Sequence, residues 1–530
     1  MKSVLFTLFV LSLTACAPDA DTPPLDIVLE GGTVYSGSNA EPIVSDVGIS
    51  GDRIVALGDL SERSADLRLD VSGLAVVPGF IDIHSHAVRS DPTDGIFRWP
   101  DAENLIRQGV TTVIGGPDGG SPLPITDTLT AIENNPASVN FGTFVGHGSV
   151  RGLIVGEEDR PPTDTELDQM RDEVRQAMES GAYGLSSGLI YLPGRFAATE
   201  EVIELAKVAA EYDGIYISHM REEGLDLLKS VAETIRIGEE GGLPTQLTHH
   251  KVVGAPMWGK STETLQLVDE AIARGVDVSI DQYPYTASST SLTILFPGWS
   301  LDGGRPALLE RLNNSEERAR LKDDIVYRIE TDRGGDDPAN VALSNCPHDT
   351  SLNGLNLSQV LRQQEREVSK ANAADLLMEL VEAGNCSAVF HAINEEDVKR
   401  ILAHPVTMPS SDGGIEGPSE RVPHPRNYGT FSRILGHYVR EQNVIPFHTA
   451  IHKMAMLPAD RIGLSDRGRI AEGAIADIAV LDRDEVADTA TFENPHQYAL
   501  GAHHVFVAGD AVLLNGEMTG ARPGRVLRRQ

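Results

Sequence analysis

Short apolar runs recur along this chain, and between many of them the apolar positions switch to a spacing of three to four residues. The short runs predict strands, and the wider spacing predicts amphipathic helices. Eight runs fall in the middle of the sequence: Phe80–Ile83, Thr111–Ile114, Val139–Val145, Gly184–Ser187, Ile215–Ser218, Thr245–Thr248, Val276–Tyr283 and Val406–Pro409. Helical stretches lie between several of them, such as Thr165–Ser180, which stops at Gly181, and Glu200–Tyr212, which follows a candidate cap at Thr199. This alternation predicts an α/β fold, a (β/α)8 TIM-like barrel over residues 77–457. The last two runs lie far apart, with helical patterns at Ser315–Glu330 and Lys370–Ala383 in the gap. That interval predicts an insertion over about residues 296–400, near the barrel mouth where a lid would sit.

Both ends of the chain have a different texture. Ile27–Leu29, Thr33–Tyr35, Asp46–Ile49 and Arg53–Leu57 read as short strands between glycine turns within residues 25–76. Ala476–Leu481, His504–Val507 and Ala511–Leu514 repeat that texture within residues 458–530. The two half-sets are expected to pair into one small β-sandwich that brings the termini together.

Ahead of the first strands, Met1-Lys2 leads into an apolar run from Val4 to Leu13. A run of that length is too short for a bilayer, which needs ~20 residues, and matches the apolar part of an export signal. Leu13-Thr14-Ala15-Cys16 resembles the lipobox of a bacterial lipoprotein. The expectation is a signal peptide over residues 1–15, lipidation at Cys16 and a Pro/Asp-rich tether over 16–24. The protein would then be an exported periplasmic lipoprotein, with Ala17 after the anchor favouring the outer membrane. The anchor would be its one membrane contact. Cys346 and Cys386, far apart in sequence, read as buried small hydrophobes, with a disulfide as the lesser alternative.

Charge narrows the partners. With 78 acidic and 44 basic residues the formal net charge is −34, so a polyphosphate would be repelled and nucleic acid is excluded. The expected ligand is a small molecule.

The candidate chemistry collects at strand ends. His84 and His86 follow the first run of the middle region; residues two apart on a strand point the same way, so both rings can face one metal. His219 ends the Ile215–Ser218 run, His249 and His250 follow Thr245–Thr248, and Asp412 follows Val406–Pro409. Successive strand residues face opposite sides, and His249 is preferred over His250 as the ligand. Histidine nitrogens and carboxylate oxygens at one barrel rim are the donors a divalent metal requires.

The order of these motifs resembles the amidohydrolase superfamily. Several stretches are similar to the D-aminoacylases (N-acyl-D-amino-acid deacylases) within it: Gly184-Leu185-Ser186-Ser187-Gly188, Ser218-His219-Met220-Arg221, His249-His250-Lys251, Asp281-Gln282-Tyr283-Pro284-Tyr285 and Ser411-Asp412-Gly413. The resemblance covers nearly the whole chain from Leu25 onward. It implies a zinc ion held by His219 and His249 and a second, weaker metal site at His84 and His86. In the family a cysteine in a Gly-Asn-Cys-Gly stretch completes the zinc site; here Gly116-Pro117-Asp118-Gly119 puts Asp118 in its place. A carboxylate is harder than a thiolate and can bridge two metals. The resemblance further implies that Asp412 is the general base, that Tyr191 contacts the substrate carbonyl, and that Lys251, Tyr283 and Ser289 hold the substrate carboxylate. Arg221 and Arg426 are less specific candidates, and His147 reads as a structural hydrogen-bonding residue. The implied activity is zinc-dependent removal of the acyl group from N-acyl-D-amino acids. The alternative within the superfamily is a D-dipeptidase or a cyclic-amide hydrolase, and outside catalysis it is an idle lipoprotein that uses the barrel as a binding module. Ser186 and Ser187 stand where a carboxylated lysine would be needed for a dihydropyrimidinase-like centre.

Overall fold

The computed structural model describes residues 24–88 and 93–529. The signal peptide, Cys16 and nearly all of the tether lie outside the described residues.

The middle of the chain builds two parallel sheets. Phe80–Asp82, Val110–Gly115 and Asn140–Thr143 form one. Val145–Gly146, Gly184–Gly188, Ile215–His219, Thr245–Leu247, Val278–Gln282 and Thr407–Pro409 form the other, adjacent in that order. Every one of these strands is buried along its whole length, as strands covered on both faces must be. The sheets are also joined at both margins. Tyr183 N–H, just before Gly184–Gly188, donates to Thr143 O (2.9 Å) on one side, and Asp412 N–H donates to His84 O (3.0 Å) on the other. A parallel bridge between Ser85 and Gly413 reinforces the second junction.

Helices return the chain between strands. Asp164–Glu179 begins with Thr163 as its cap, in a reciprocal box with Glu166, and buries Met170, Val174 and Ala177. Thr199 is the first residue of helix Thr199–Ala210 and not its cap: its hydroxyl donates to Glu233 (2.8 Å), and Ala198 holds the cap position.

The interval before the last parallel strand contains a sheet that the apolar pattern does not reveal. Ser288–Ser291, Ser387–Phe390 and Val341–Asn345 pair antiparallel, with the second in the centre. These strands are short and half polar, so their sequence does not alternate cleanly. Helices Ser315–Thr331 and Lys370–Ala383 pack over them through Leu321, Ile325 and Leu377. Pairing of Asn345 with Ser387 brings the next residue of one strand beside the preceding residue of the other. Cys346 and Cys386 therefore form a disulfide and are not separate buried thiols.

The two chain ends share one nine-stranded sheet. Ala75–Pro78 pairs antiparallel with Ile478–Leu481, which joins strands from both ends. Two of the four short runs expected there, Ile27–Leu29 and Thr33–Tyr35, are one strand, Leu25–Val34, and the strands Ala65–Asp70 and Ala75–Pro78 are additional.

Candidate metal centre

The side chains at the C-terminal ends of the parallel strands converge on Asp118. It sits in the loop after Val110–Gly115 with a left-handed backbone (φ +56°), and Gly119 beside it approaches Gly188 so closely that a Cβ would meet Gly188 N at 2.7 Å. Asp118 Oδ1 lies 3.4 Å from His84 Nε2 and 3.2 Å from His249 Nε2. Its Oδ2 lies 3.4 Å from His86 Nε2 and 3.8 Å from His219 Nδ1. His249 Nε2 and His219 Nδ1 are 2.7 Å apart. Asp412 Oδ1 faces His86 Nε2 at 3.1 Å and His84 Nε2 at 3.5 Å, so two donor groups meet at the Asp118 carboxylate.

These residues fit a divalent metal. Donor atoms around one tetrahedral ion bonded at ~2.0–2.1 Å stand about 3.3 Å apart, which is the separation of Asp118 from three of the histidines. His84 Nε2 and Asp118 Oδ1 are buried without a hydrogen-bond partner, as atoms reserved for an ion would be. His249 and Asp412 also have left-handed backbones (φ +35° and +48°), so three of the converging residues hold a conformation that L side chains rarely adopt.

A second layer of charge fixes the rings. Asp281, fully buried, accepts from the backbone N–H of His249 (2.8 Å) and lies 3.4 Å from His84 Nδ1. Glu223, also fully buried, faces His249 Nδ1 at 3.2 Å and His219 Nε2 at 3.6 Å. It accepts from Lys251 (2.6 Å) and from Arg333 (2.8 Å). Burial opposes ionisation of Glu223, yet Lys251 and the two histidines hold its carboxyl well below the usual range. Such outer partners orient metal ligands and raise their basicity. Neither residue was among the sequence candidates: Glu223 stands in the pair Glu222-Glu223 just after His219, and Arg333 comes from the insertion.

The other candidates divide. Tyr191 packs on His219 with ring centroids 4.5 Å apart, and Tyr283 lies on the far side of His249 at 6.5 Å. Tyr283 Oη is buried and unpartnered. Lys251 lines the cleft but is bound to Glu223 and lies 2.7 Å from His249 Nδ1; it is not a free cation. Arg426 is in the site: it donates to Asp412 Oδ2 (2.7 Å) and to Ser289 O (3.4 Å) and stacks over Tyr283. Burial opposes ionisation of Asp412, but Arg426 and His249 hold its carboxyl well below the usual range. Arg221 is outside, forked onto Glu233 and the carbonyls of Arg195 and Ala197. His250 points away, its Nε2 on Thr264 Oγ1 (2.8 Å). His147 pairs with Glu201 (2.9 Å), which Arg151 also grips. The cleft around these groups has a volume of about 820 Å³.

A family model described as the amidohydrolase family matches residues 69–513. The chain belongs to the amidohydrolase family. Among its amidohydrolase relatives, the D-aminoacylase of Alcaligenes xylosoxydans xylosoxydans is 39% identical over 96% of this chain and 99% of its own length. The N-acyl-D-glutamate deacylase of the same organism is 36% identical over 95% of this chain and 97% of its own. A solved D-aminoacylase, studied for its binuclear metal centre, matches with a TM-score of 0.80 and 36% identity over 96% of this chain and all of that one. The N-acyl-D-glutamate deacylase of Bordetella bronchiseptica, solved with zinc and a phosphonate mimic of the tetrahedral intermediate, gives 0.81 and 31% over the same share of this chain and all of its own. This amidohydrolase therefore has the α/β fold of the D-aminoacylases.

Proposed function

We propose that the protein is a metal-dependent hydrolase that removes the acyl group from N-acyl-D-amino acids, releasing a carboxylate and a free D-amino acid. The observation that carries this reading is the placement of Asp412 between the histidine cluster and Arg426. The relatives' activities, on D-amino-acid amides, point the same way.

His219, His249 and Asp118 would hold one ion, and His84, His86, Asp118 and Asp412 the second group of donors. A bound zinc or similar ion supplies Lewis-acid polarisation of water and of the amide carbonyl. The chain's own residues do the rest. Asp412, ionised at neutral pH, accepts a proton from the attacking water and returns it to the amine nitrogen as the C–N bond breaks. That return is required because an amine anion is a very poor leaving group. Tyr283 Oη, Lys251, Ser289 and Arg426 line the cleft and are the groups assigned to the substrate carboxylate, with the unpartnered Tyr283 hydroxyl free to donate while Lys251 and Arg426 also hold Glu223 and Asp412; Tyr191, beside His219, is assigned to the substrate carbonyl.

The finer architecture is read in the same way. The two parallel sheets, joined at Tyr183–Thr143 and at Asp412–His84, are taken as one closed (β/α)8 barrel, and the nine-stranded sheet as a folded β-sandwich. For localisation, an exported lipoprotein anchored at Cys16 is supported by the Cys346–Cys386 disulfide, since such bonds persist in oxidising compartments. Incorporation of labelled palmitate into the wild-type protein and not into Cys16→Ser tests the anchor.

A paired D/L panel of N-acetyl amino acids, run on apo-protein reloaded with zinc, cobalt or manganese, tests the activity. Turnover of D-substrates alone is expected, and turnover of L-substrates alone would overturn the reading. Asp412→Asn should remain folded and metal-loaded while losing about 10²–10⁴-fold in kcat.

A further inference from the structure

The disulfide stands at the wall of the catalytic cleft. Ser344 and Asn345, just ahead of Cys346, and Ser387, just after Cys386, all line the cleft. The ladder between strands Val341–Asn345 and Ser387–Phe390 shifts register between Leu343 and Asn345, so Asn345 opposite Ser387 is a single pair past the irregularity. A disrupted ladder holds a strand end weakly, and the covalent bond directly behind that pair fixes both ends. Cys346 and Cys386 are 0% and 3% exposed, which limits a reductant's access to the folded bond.

This clamped end carries the segment that follows Asp412. Residues 414–424 contain no helix or strand, yet Glu416, Arg421, Pro423 and His424 line the cleft. The insertion holds the segment near its middle. Val422 N–H donates to Ser344 O (2.8 Å), at the irregular position of the strand. Asn353 bridges the disulfide and the segment: its Oδ1 accepts from Cys346 N–H (2.7 Å), and its Nδ2 donates to Glu420 O (2.9 Å). Arg421 also donates to Asp94 (2.9 Å), and His496 donates to Arg421 O (2.9 Å). Further on the segment is pinned separately. His424 Nε2 donates to Ala287 O (2.9 Å), and Arg426 N–H donates to His424 Nδ1 (3.0 Å). Arg426, and with it Asp412, therefore does not depend on the clamp.

We propose that the Cys346–Cys386 disulfide, acting through the positioning residue Asn353, holds residues 416–422 against the cleft, so that the oxidised chain binds substrate more tightly than the reduced one. The effect on substrate rests on the amide-hydrolase reading above; the clamp itself does not. Reduction by a dithiol moves two electrons and two protons to the cystine, leaving two thiols and the oxidised, cyclic reagent. The strand end then rests on one backbone pair, and the cleft wall opens more often.

The test compares the metal-loaded wild-type chain with Cys346→Ala/Cys386→Ala and with Asn353→Ala, which keeps the disulfide. Hydrogen exchange without substrate should be faster over residues 416–422 in both variants. One net hydrogen bond corresponds to roughly two- to tenfold in an opening equilibrium, the gain expected for Asn353→Ala, and the double variant should exceed it. On N-acetyl-D-leucine KM should rise by a similar factor, while kcat and bound metal stay at wild-type values. Asn353→Asp keeps the acceptor for Cys346 but loses the donor for Glu420, and should match Asn353→Ala. If the double variant does not fold, the two Asn353 variants carry the test. Unchanged exchange over 416–422 in the Asn353 variants would overturn the clamp. Faster exchange with unchanged KM, or with the loss falling on kcat or bound metal instead, would overturn its link to substrate. If wild type hydrolyses no N-acyl-D-amino acid while exchange still rises in the variants, the hydrolase reading fails and the clamp stands.

Discussion

Glu223→Gln removes one negative charge from between two cations and two metal-binding rings while keeping the side-chain shape. Glu223 is fully buried, with Lys251 Nζ at 2.6 Å and Arg333 Nη2 at 2.8 Å. At an effective dielectric constant of 20, each contact carries a gross attraction of about 6 kcal/mol. Desolvation of three ions offsets much of that in the intact cluster. Removing the carboxylate leaves both buried cations without their nearest counter-ion, Asp332 and Asp412 remaining as more weakly acting ones, and such a loss costs about 3–5 kcal/mol. Unfolding entropy of ~2.1 cal/mol/K per residue over some 500 residues makes 1 kcal/mol worth about 1 °C, so Tm should fall by only about 3–5 °C. The larger effect is on the metal. Glu223 faces Nδ1 of His249 and Nε2 of His219, and losing such an outer partner weakens metal affinity about 10–100-fold. Competition of apo-protein with a chelator for zinc measures this directly. Glu233→Gln, which disturbs Arg221 outside the cleft, is the control and should leave metal affinity unchanged. Equal zinc affinity and equal Tm in Glu223→Gln and wild type would refute the reasoning.

Three further outcomes follow from other parts of the molecule. Asp118→Ala removes the carboxylate shared by both donor groups and should lower bound metal measured by mass spectrometry, whereas Asp118→Cys should retain the His219/His249 ion and, with cobalt, gain a thiolate charge-transfer band that wild type lacks. Glu201→Gln should destabilise the fold by about 3–5 kcal/mol at neutral pH, because Arg151 and His147 are buried against it. Burial would raise the Glu201 carboxyl, but His147 and Arg151 hold it below the usual range. Its contribution is therefore present above the unfolded carboxylate pKa and lost as pH falls through the folded one, so acid melts of wild type and variant should converge at low pH. Cys346→Ser opens a 40-residue loop and should cost about 4 kcal/mol in the insertion, read as faster proteolysis there than in wild type.

Much of this was readable from local patterns. Short apolar runs marked the parallel strands because a strand buried on both faces needs no polar alternation; Gly184–Gly188 and Ile215–His219 are buried throughout. Histidines at the ends of those runs were visible as candidates because strand direction is a local property; the two-residue period did not decide their facing, since His84, His86 and His249 stand beyond their strands. The insertion's sheet was hidden, since Ser288–Ser291 and Val341–Asn345 mix polar and apolar residues with no regular period. The disulfide was hidden with it, because only the register of Asn345 against Ser387 brings Cys346 to Cys386.

By itself, then, the sequence determined the succession of elements, the acidic surface that repels polyanions, and which residue types stand at the strand ends. Tertiary structure alone decided how those residues work together. Asp118 became the centre of four histidines only when its loop folded against Gly188, and Arg426 reached Asp412 through the chain beyond the last parallel strand. Lys251 lost its free charge to Glu223, and Arg333 joined that pair across 110 residues of chain. The physical reason is range. Periodicity and capping act within a turn or a strand, whereas buried charges are settled by whichever partners the fold brings within 3 Å, wherever they lie in the chain.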